Sequence, residues 1–547
     1  MFARHFTPES IHERRWWILA ALCTSLVVIA IDNTVLNVAL PTIQNDLNAS
    51  NIDLQWIVDG YILVFAAMLL TMGTLGDRFG RNRLLVGGLV VFGTFSLLSG
   101  FTQTPGQLIA TRVIQGLGGA AIMPATLSIL MNVFDDEVER ERAIGIWAAV
   151  TGAGVALGPV VGGGLIGVFN TWKPVFWINV PIVLVALILG AFLIPPSKDP
   201  NAPKLDVVGG LLSTAGLFGV VFGIIQSSTA SAGWTDPIVL GPLLGGFVIL
   251  VVFTFWERHS DHPMLEVLLF KNMRFTAASV AIGLIFFSLM GGMYVFTQYL
   301  QYVQDFSPLE AGLRTLPLSL AIMVFALVSA RVDMRIGSKL TVAVGLAAMV
   351  VGFMMNSFFE VDTAYWYVAI SIGLIGTAIG MAMTPATNSI MGALPPEKAG
   401  VGSATNDATR QVGGTLGVAV LGAILSKEYA TKLNGSLDTL PAKVQEHIAP
   451  FRVTLETSVD AAVKLSEKAR AGGAPAEYVN DVIGFAKQAF VEGQSFAYMF
   501  AAGSAFIGLI ITAIWLPARS SGASTIIQQR APADDAQESP SGSTPNT

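Results

Sequence analysis

The sequence predicts an all-α polytopic membrane protein with fourteen transmembrane helices, built as two parallel six-helix bundles plus two extra helices. Three observations predict it. Only 12% of the 547 residues are charged and 53% are hydrophobic, whereas an ordinary soluble domain carries roughly 25% charged residues. Apolar runs of about 20 residues recur along nearly the whole chain, each long enough to cross a hydrocarbon layer about 30 Å thick at 1.5 Å per helical residue. A stretch of the first half returns in the second half.

The apolar windows place the spans near residues 16–40, 54–75, 84–101, 107–131, 143–166, 175–195, 206–226, 238–256, 275–301, 309–331, 339–358, 365–391, 401–425 and 493–516. An even number puts both termini on one side. With that side cytoplasmic, the inner segments hold nineteen Lys and Arg residues against Lys173 alone in the short outer loops, as the positive-inside rule requires. The domains follow: a cytoplasmic N-terminus at 1–15, an N-terminal bundle at 16–195, the two extra helices at 206–256 and a C-terminal bundle at 275–516. Residues 427–493 hold 17 charged residues in 67, a soluble composition. They read as an extracellular helical hairpin loop, and long segments translocate regardless of charge. Residues 517–547, rich in Ser, Pro, Gly and Gln, read as a disordered cytoplasmic tail. The one cysteine, Cys23, excludes an intrachain disulfide and a cysteine metal site.

The repeat gives the internal symmetry. Pro124-Ala-Thr-Leu-Ser-Ile-Leu130 in span 4 returns as Pro385-Ala-Thr-Asn-Ser-Ile-Met391 in span 12, an offset of 261, and the basic loop Asp77–Arg83 is echoed by Asp333–Lys339 at 256. Spans 2 and 4 thus map onto 10 and 12 in the same orientation, which is a parallel duplication with spans 7 and 8 left over.

Certain residues stand out against this apolar background. An aspartate in hydrocarbon costs about 2.5–3.5 kcal/mol on insertion scales, so Asp32, deep in span 1, and Asp59, near the outer end of span 2, are candidate functional groups. Arg112 in span 4 lies at a depth like that of Asp32, and a buried arginine requires a carboxylate partner. Asp407 and Arg410 are three apart in span 13, close enough to pair with each other. Span 9 carries Phe286, Met290 and Tyr294 among neighbouring aromatics and methionines. That stripe suits large aromatic cations, and equally suits a packed core. Gly154, Gly158 and Gly162 recur every four residues in span 5, followed by Gly163 and with Pro159 among them. This is a close-packing face with a bend, read as an interface between the halves.

Taken together, these residues resemble the fourteen-span drug:proton antiporters of the major facilitator superfamily, exporters of quaternary ammonium compounds and other drugs. The resemblance covers residues 15–517. It rests on Asp32-Asn-Thr-Val-Leu-Asn-Val-Ala-Leu-Pro41, on Gly73-x-Leu-x-Asp77-Arg78-x-Gly80-Arg81-x-Arg83 and on Arg112-x-x-Gln115-Gly116-x-Gly118-Gly119. Gly154-x-x-x-Gly158-Pro159-x-x-Gly162-Gly163, Phe176-Trp-Ile-Asn-Val-Pro181 and Asn406-Asp-Ala-Thr-Arg-Gln-Val-Gly-Gly414 complete it. The resemblance implies the major facilitator fold and a proton-coupling role for Asp32 and Arg112. It implies substrate or cation contacts at Asp59, Asp407, Phe286, Met290 and Tyr294. Gly73, Asp77, Arg78, Gly80, Arg81 and Arg83 would form a cytoplasmic gate in which Asp77 meets the N-terminus of span 13.

The expected function is proton-coupled antiport that exports amphipathic, often cationic drugs across the plasma membrane by alternating access. Export of an endogenous lipid, siderophore or envelope metabolite on the same fold is the alternative. The chain holds no GxxxxGK[ST] phosphate loop and no HExxH, so neither an ATP-driven pump nor an enzyme is expected. No metal or cofactor is expected, since the proton gradient supplies the energy. The expected partners are small amphipathic substrates, protons and membrane lipids but not nucleic acid, and the functional unit is expected to be a monomer.

Overall fold

Helix ends follow the local chemistry of the chain. Thr7 accepts a hydrogen bond from the Ser10 amide at 3.3 Å and Pro8 takes the first helical position, where its missing N–H costs nothing. Ser50 and Asp53 form a reciprocal capping box at the next start, which satisfies two backbone donors. Gly80 turns the chain between the second and third helices with φ of 111°, a backbone conformation that side-chain-bearing residues avoid.

The computed structural model describes residues 7–134, 136–197, 206–227, 233–260, 262–394, 399–471 and 474–517. The long helices are α1 Pro8–Leu47, α2 Asn51–Phe79, α3 Arg81–Ser99, α4 Pro105–Val133, α5 Glu137–Phe169, α6 Asn179–Leu193, α7 Val207–Gln226, α8 Pro237–His259, α9 Met273–Gln298, α10 Leu316–Ile336, α11 Ser338–Asn356, α12 Tyr365–Met391, α13 Ala399–Leu437, α14 Val459–Ala471 and α15 Ala476–Trp515. Short turns at Pro174–Trp177 and Pro308–Arg314 lead into α6 and α10. Among the described residues, thirteen helices are long and apolar enough to cross a membrane. Fourteen were expected. α5 accounts for the difference: it is 33 residues long, but its apolar stretch within the described residues, Leu157–Phe169, is shorter than a span.

Three boundaries differ from the sequence reading. α1 starts at Pro8, so residues 8–15 belong to the first helix. α13 runs on to Leu437, beyond the expected end at 425. The second arm of the expected hairpin and the last span are one helix of 40 residues, α15. Amphipathic and fully apolar stretches join without a break because no helix-stopping residue separates them. The expected disordered tail falls outside the described residues from 518 onward.

The packing repeats the duplication. In the first half α4 packs on α2 and α3, α1 on α5 and α6, and α3 on α6. In the second half α12 packs on α10 and α11, α9 on α13 and α15, and α11 on α15. The halves meet along two seams, α2 against α13 and α5 against Pro308–Arg314 and α10. α7 pairs with α8 and also lies on both α2 and α13. There Leu63 of α2, Val221 and Ile225 of α7, and Ala419 and Ala423 of α13 form a small apolar core of their own.

Candidate functional site

Asp32 and Arg112 are each 1% exposed. An Arg112 Nη1–H donates to Asp32 Oδ2 at 2.6 Å. The other carboxylate oxygen accepts from Gln115 Nε2 at 3.0 Å and from Asn179 Nδ2 at 2.9 Å. Arg112 also donates to Gln115 Oε1 at 3.0 Å and to the Ile57 carbonyl at 3.3 Å. Its guanidinium carbon sits 4.1 Å from the centre of the Tyr61 ring. Arg112 and Gln115 reach the same carboxylate because residues three apart share a helix face. Helices α1, α2, α4 and α6 therefore converge on one ion pair, and α3 joins through Ser96, whose Oγ accepts from Asn179 at 3.0 Å. Deleting one partner of such a pair costs about 3–5 kcal/mol, because the other charge is left buried alone.

Asp59 differs. It is fully buried, and neither carboxylate oxygen has a hydrogen-bond partner among the described residues. Gln55, one turn earlier, is equally buried and has no partner among the described residues. The Gln55 amide lies against α13: a Cβ on Gly422 would stand 2.1 Å from its Nε2. This edge of α2 thus brings unsatisfied polar groups to the seam between the halves, where each is costly to leave unpaired.

In the second half, Arg410 stands 3.6 Å from Asp407, donates to Thr387 Oγ1 at 3.1 Å and lies 5.7 Å from the centre of the Phe286 ring. The structure thus gathers two of the sequence candidates, Asp407 and Phe286, around one guanidinium. Met290 packs against Gly414, where a Cβ would stand 3.1 Å from its Cγ. Tyr294 is 1% exposed and its hydroxyl donates to the Asn51 carbonyl at 3.3 Å. In this conformation it holds the two halves together and presents no open surface.

Tyr294 is one of a set of cross-half contacts at the end of the bundle remote from the Asp77–Arg83 loop. Gln301 Nε2 donates to the Val38 carbonyl at 2.9 Å, Tyr302 donates to Gln44, and Lys464 of α14 donates to the Asn45 carbonyl at 3.3 Å. At the loop end, Asp77 pairs with Arg81 at 2.7 Å, and Arg81 also reaches the Ser128 carbonyl at 3.4 Å. Arg78 lies over Phe79, and the Arg83 side chain lies against Gly80. Gly73 faces Pro124 of α4. The expected partner of Asp77, the N-terminus of α13, follows residues 395–398, which lie outside the described residues.

The glycine face of α5 corrects one expectation. Cβ atoms at Gly154, Gly158 and Gly162 would strike Ala30, Thr34 and Val35, so this stripe seats α5 on α1 within one half. Only the adjacent face crosses to the other half. A Cβ on Gly163 would stand 2.4 Å from the Pro308 carbonyl oxygen, and one on Gly312 would stand 2.3 Å from that of Pro159. Residues four apart share a face, and the next residue is rotated about 100° away.

Sequence reasoning left Gln115, Asn179, Ser96, Tyr61, Gln55 and Thr387 without roles. Gln115 and Asn179 lie inside the motifs that begin at Arg112 and Phe176, and a neutral amide deep in an apolar helix is the signal that singles them out.

The Major Facilitator Superfamily model matches residues 22–418. The chain belongs to this superfamily. The Multidrug efflux pump LfrA of Mycolicibacterium smegmatis is 37% identical over 77% of this chain and 83% of its own length. The Methyl viologen resistance protein SmvA of Salmonella typhimurium is 33% identical over 92% of this chain and 98% of its own. Among solved structures, a bacterial homologue of the human lysosomal transporter Spinster, inward-facing and unoccupied, superposes with a TM-score of 0.59 at 17% identity. It covers 93% of this chain and 99% of that one, a likeness of fold. This facilitator is a multi-pass membrane transporter of the drug-efflux type, and not an enzyme.

Proposed function

We propose that the protein exchanges protons for amphipathic, often cationic drugs, with Asp32 as the proton-carrying group and Arg112 as its counter-charge. The single observation that carries this reading is the buried ion pair at 2.6 Å. A proton on Asp32 cancels the attraction to Arg112 and frees two helices that the pair ties together. Loss of that proton restores the tie, so the occupancy of one carboxylate biases the packing of the first half. A shift of this kind needs only a few kcal/mol of differential interaction between two states.

The unpartnered Asp59 at the seam and the Asp407, Arg410 and Phe286 group are the candidate substrate contacts. A carboxylate in a low-dielectric cavity attracts a cation strongly, and aromatic rings add cation–π attraction. Methyl viologen, named for one relative, is a dication of this class. The excess of Lys and Arg on one side supports an orientation in the cell membrane with both termini, and the Asp77–Arg83 loop, in the cytoplasm. The remote end, closed by Tyr294, Gln301 and Tyr302, then faces outward, and the state described is closed to the outside.

Efflux of the fluorescent cation ethidium from reconstituted vesicles, with and without an imposed pH gradient, tests the reading. Efflux that follows the gradient and vanishes in Asp32→Asn is the expected result. Efflux indifferent to the gradient would overturn it.

A further inference from the structure

We propose that Asn179 is a positioning residue that senses whether Asp32 carries a proton and relays this to the entrance of α6. The proposal rests on the reading of Asp32 as the proton site. Asn179 is fully buried, and its Nδ2 lies 2.9 Å from Asp32 Oδ1 and 3.0 Å from Ser96 Oγ. The Ser96 hydroxyl donates its own hydrogen to the Phe176 carbonyl at 2.7 Å. It therefore shows Asn179 only lone pairs, and an ionised Asp32 likewise shows only lone pairs. Both neighbours demand donors, and the NH2 side of the amide is the side that has two. The other side, Oδ1, is buried without a partner among the described residues. The charge on Asp32 thus fixes which way the amide points.

A proton on Asp32 Oδ1 turns that oxygen into a donor that faces the two N–H donors of Gln115 and Asn179. The conflict is relieved when the Asn179 amide turns over and its carbonyl accepts from the carboxylic acid. Ser96 then faces an acceptor, and its hydroxyl swings from the Phe176 carbonyl to Asn179. No covalent bond other than the O–H on Asp32 is made. Phe176 lies in the turn Pro174–Trp177, which joins α6 through Ile178, whose amide also reaches the Phe176 carbonyl, so this carbonyl loses its side-chain donor at the joint where α6 enters the bundle. Loss of a hydrogen bond to a buried carbonyl is unfavourable, and the joint is biased to move.

The titratable groups facing Asp32 are Arg112 from α4 and Tyr61 from α2. α3 and α6 present the neutral Ser96 and Asn179, and α5 presents glycines to this part of α1. α9 and α14 bond to α1 further along, at Val38, Gln44 and Asn45, where Asp460 and Lys464 of α14 pair with each other.

The test reads the pH of half-maximal ethidium-driven proton release in vesicles holding the whole protein. Asn179→Leu removes one donor from the charged form of Asp32, so the midpoint should rise by roughly one to two pH units. Asn179→Ser keeps a hydroxyl donor in a smaller side chain and should return the midpoint most of the way. Ser96→Ala leaves the bond to Asp32 in place, so the midpoint should hold while ethidium turnover falls severalfold. An unmoved midpoint in Asn179→Leu overturns the proposal. So does equal loss of turnover in all three variants at an unchanged midpoint, which marks a packing role only. If Asn179→Leu does not fold, Ser96→Ala still decides, since unchanged ethidium turnover or a shifted midpoint in that variant contradicts the relay. Absence of ethidium-driven proton release from the wild-type protein overturns the proton reading itself, a failure separate from the others.

Discussion

Gly312 lies so close to Pro159 that a Cβ at position 312 would stand 2.3 Å from the Pro159 carbonyl oxygen. Bare backbone meets bare backbone here, across the boundary between the two halves. A methyl at 312 must push the seam apart. Gly312→Ala should disfavour the conformation described by about 1–2 kcal/mol, within the range for overpacking, and so change the population ratio about five- to thirtyfold. Distances between spin labels on α5 and α10 at this end should lengthen. An unchanged distribution would mean that the contact is not made in the membrane.

Asp32→Asn should leave insertion intact and abolish substrate-driven proton release. The amide keeps the size of the carboxylate but has no exchangeable charge to set against Arg112, 2.6 Å away in the native pair. A mutant that still releases protons when substrate is added would exclude Asp32 as the coupling site.

Neutralising Asp59 or Asp407 should impair transport of divalent cations more than of monovalent ones, and spare neutral compounds. The two differ in degree. Asp59 has no partner among the described residues, whereas Asp407 already has Arg410 at 3.6 Å, so the Asp59 variant should show the larger selectivity change. Transport assays with matched mono- and dications measure it, and equal losses across all charges would count against both sites.

Arg15 grips Glu139 through two N–H donors at 2.7 and 2.8 Å, tying α1 to the start of α5. This hydrogen bonding holds the Glu139 carboxyl below its ordinary 4.5. A carboxylate lowered in the folded state adds stability above its unfolded value, and that stability is lost as pH falls through the folded value. Glu139→Gln should therefore lower the melting temperature in detergent slightly at neutral pH, with the difference from wild type closing below pH 4.5. The partners are partly exposed, so the effect is small. A difference that persists unchanged into acid would point to packing as its source.

Asp77→Asn should move the population toward opening at the loop end. In the conformation described, Asp77 is spent on Arg81, four residues on, and both are partly open to solvent. Such a pair contributes little, which leaves the carboxylate available to the N-terminus of α13 when that helix approaches, through the favourable dipole end. Label distances between α2 and α13 at this end should shift in the variant, and identical distances would leave the loop with a topological role alone.

Depth along an apolar run proved a good guide to the fold and to part of the site. The matching depths of Asp32 and Arg112 pair them, since an isolated charge at either place is too costly, and the structure joins them. The repeat at 261 residues likewise carries into detail: Thr126 accepts from Trp147 at 3.4 Å, and its repeat partner Thr387 accepts from Arg410. What depth does not encode is rotation about the helix axis. The stripe Gly154, Gly158 and Gly162 is plain in the sequence, but which neighbour it seats depends on how α5 is turned in the bundle, and it turns toward α1. Nor did the sequence distinguish Tyr294, which ties the halves together, from Phe286, which sits beside a charge, because both are aromatic residues on one apolar helix.

The position of α7 has a consequence for traffic from the bilayer. Its Leu217, Val220, Val221, Ile224 and Ile225 lie over the seam between α2 and α13, and its Phe218 and Phe222 pack at a tilt against Trp56, ring centres 5.5 and 6.0 Å away. Among the described residues no helix covers the other seam, α5 with α10, in the same way. The two flanks of a duplicated, nearly symmetric body have thus been made unequal. An amphipath dissolved in the lipid meets a wall on one flank and a bare joint on the other, so the inserted helix pair gives the molecule a front and a back within the plane of the membrane.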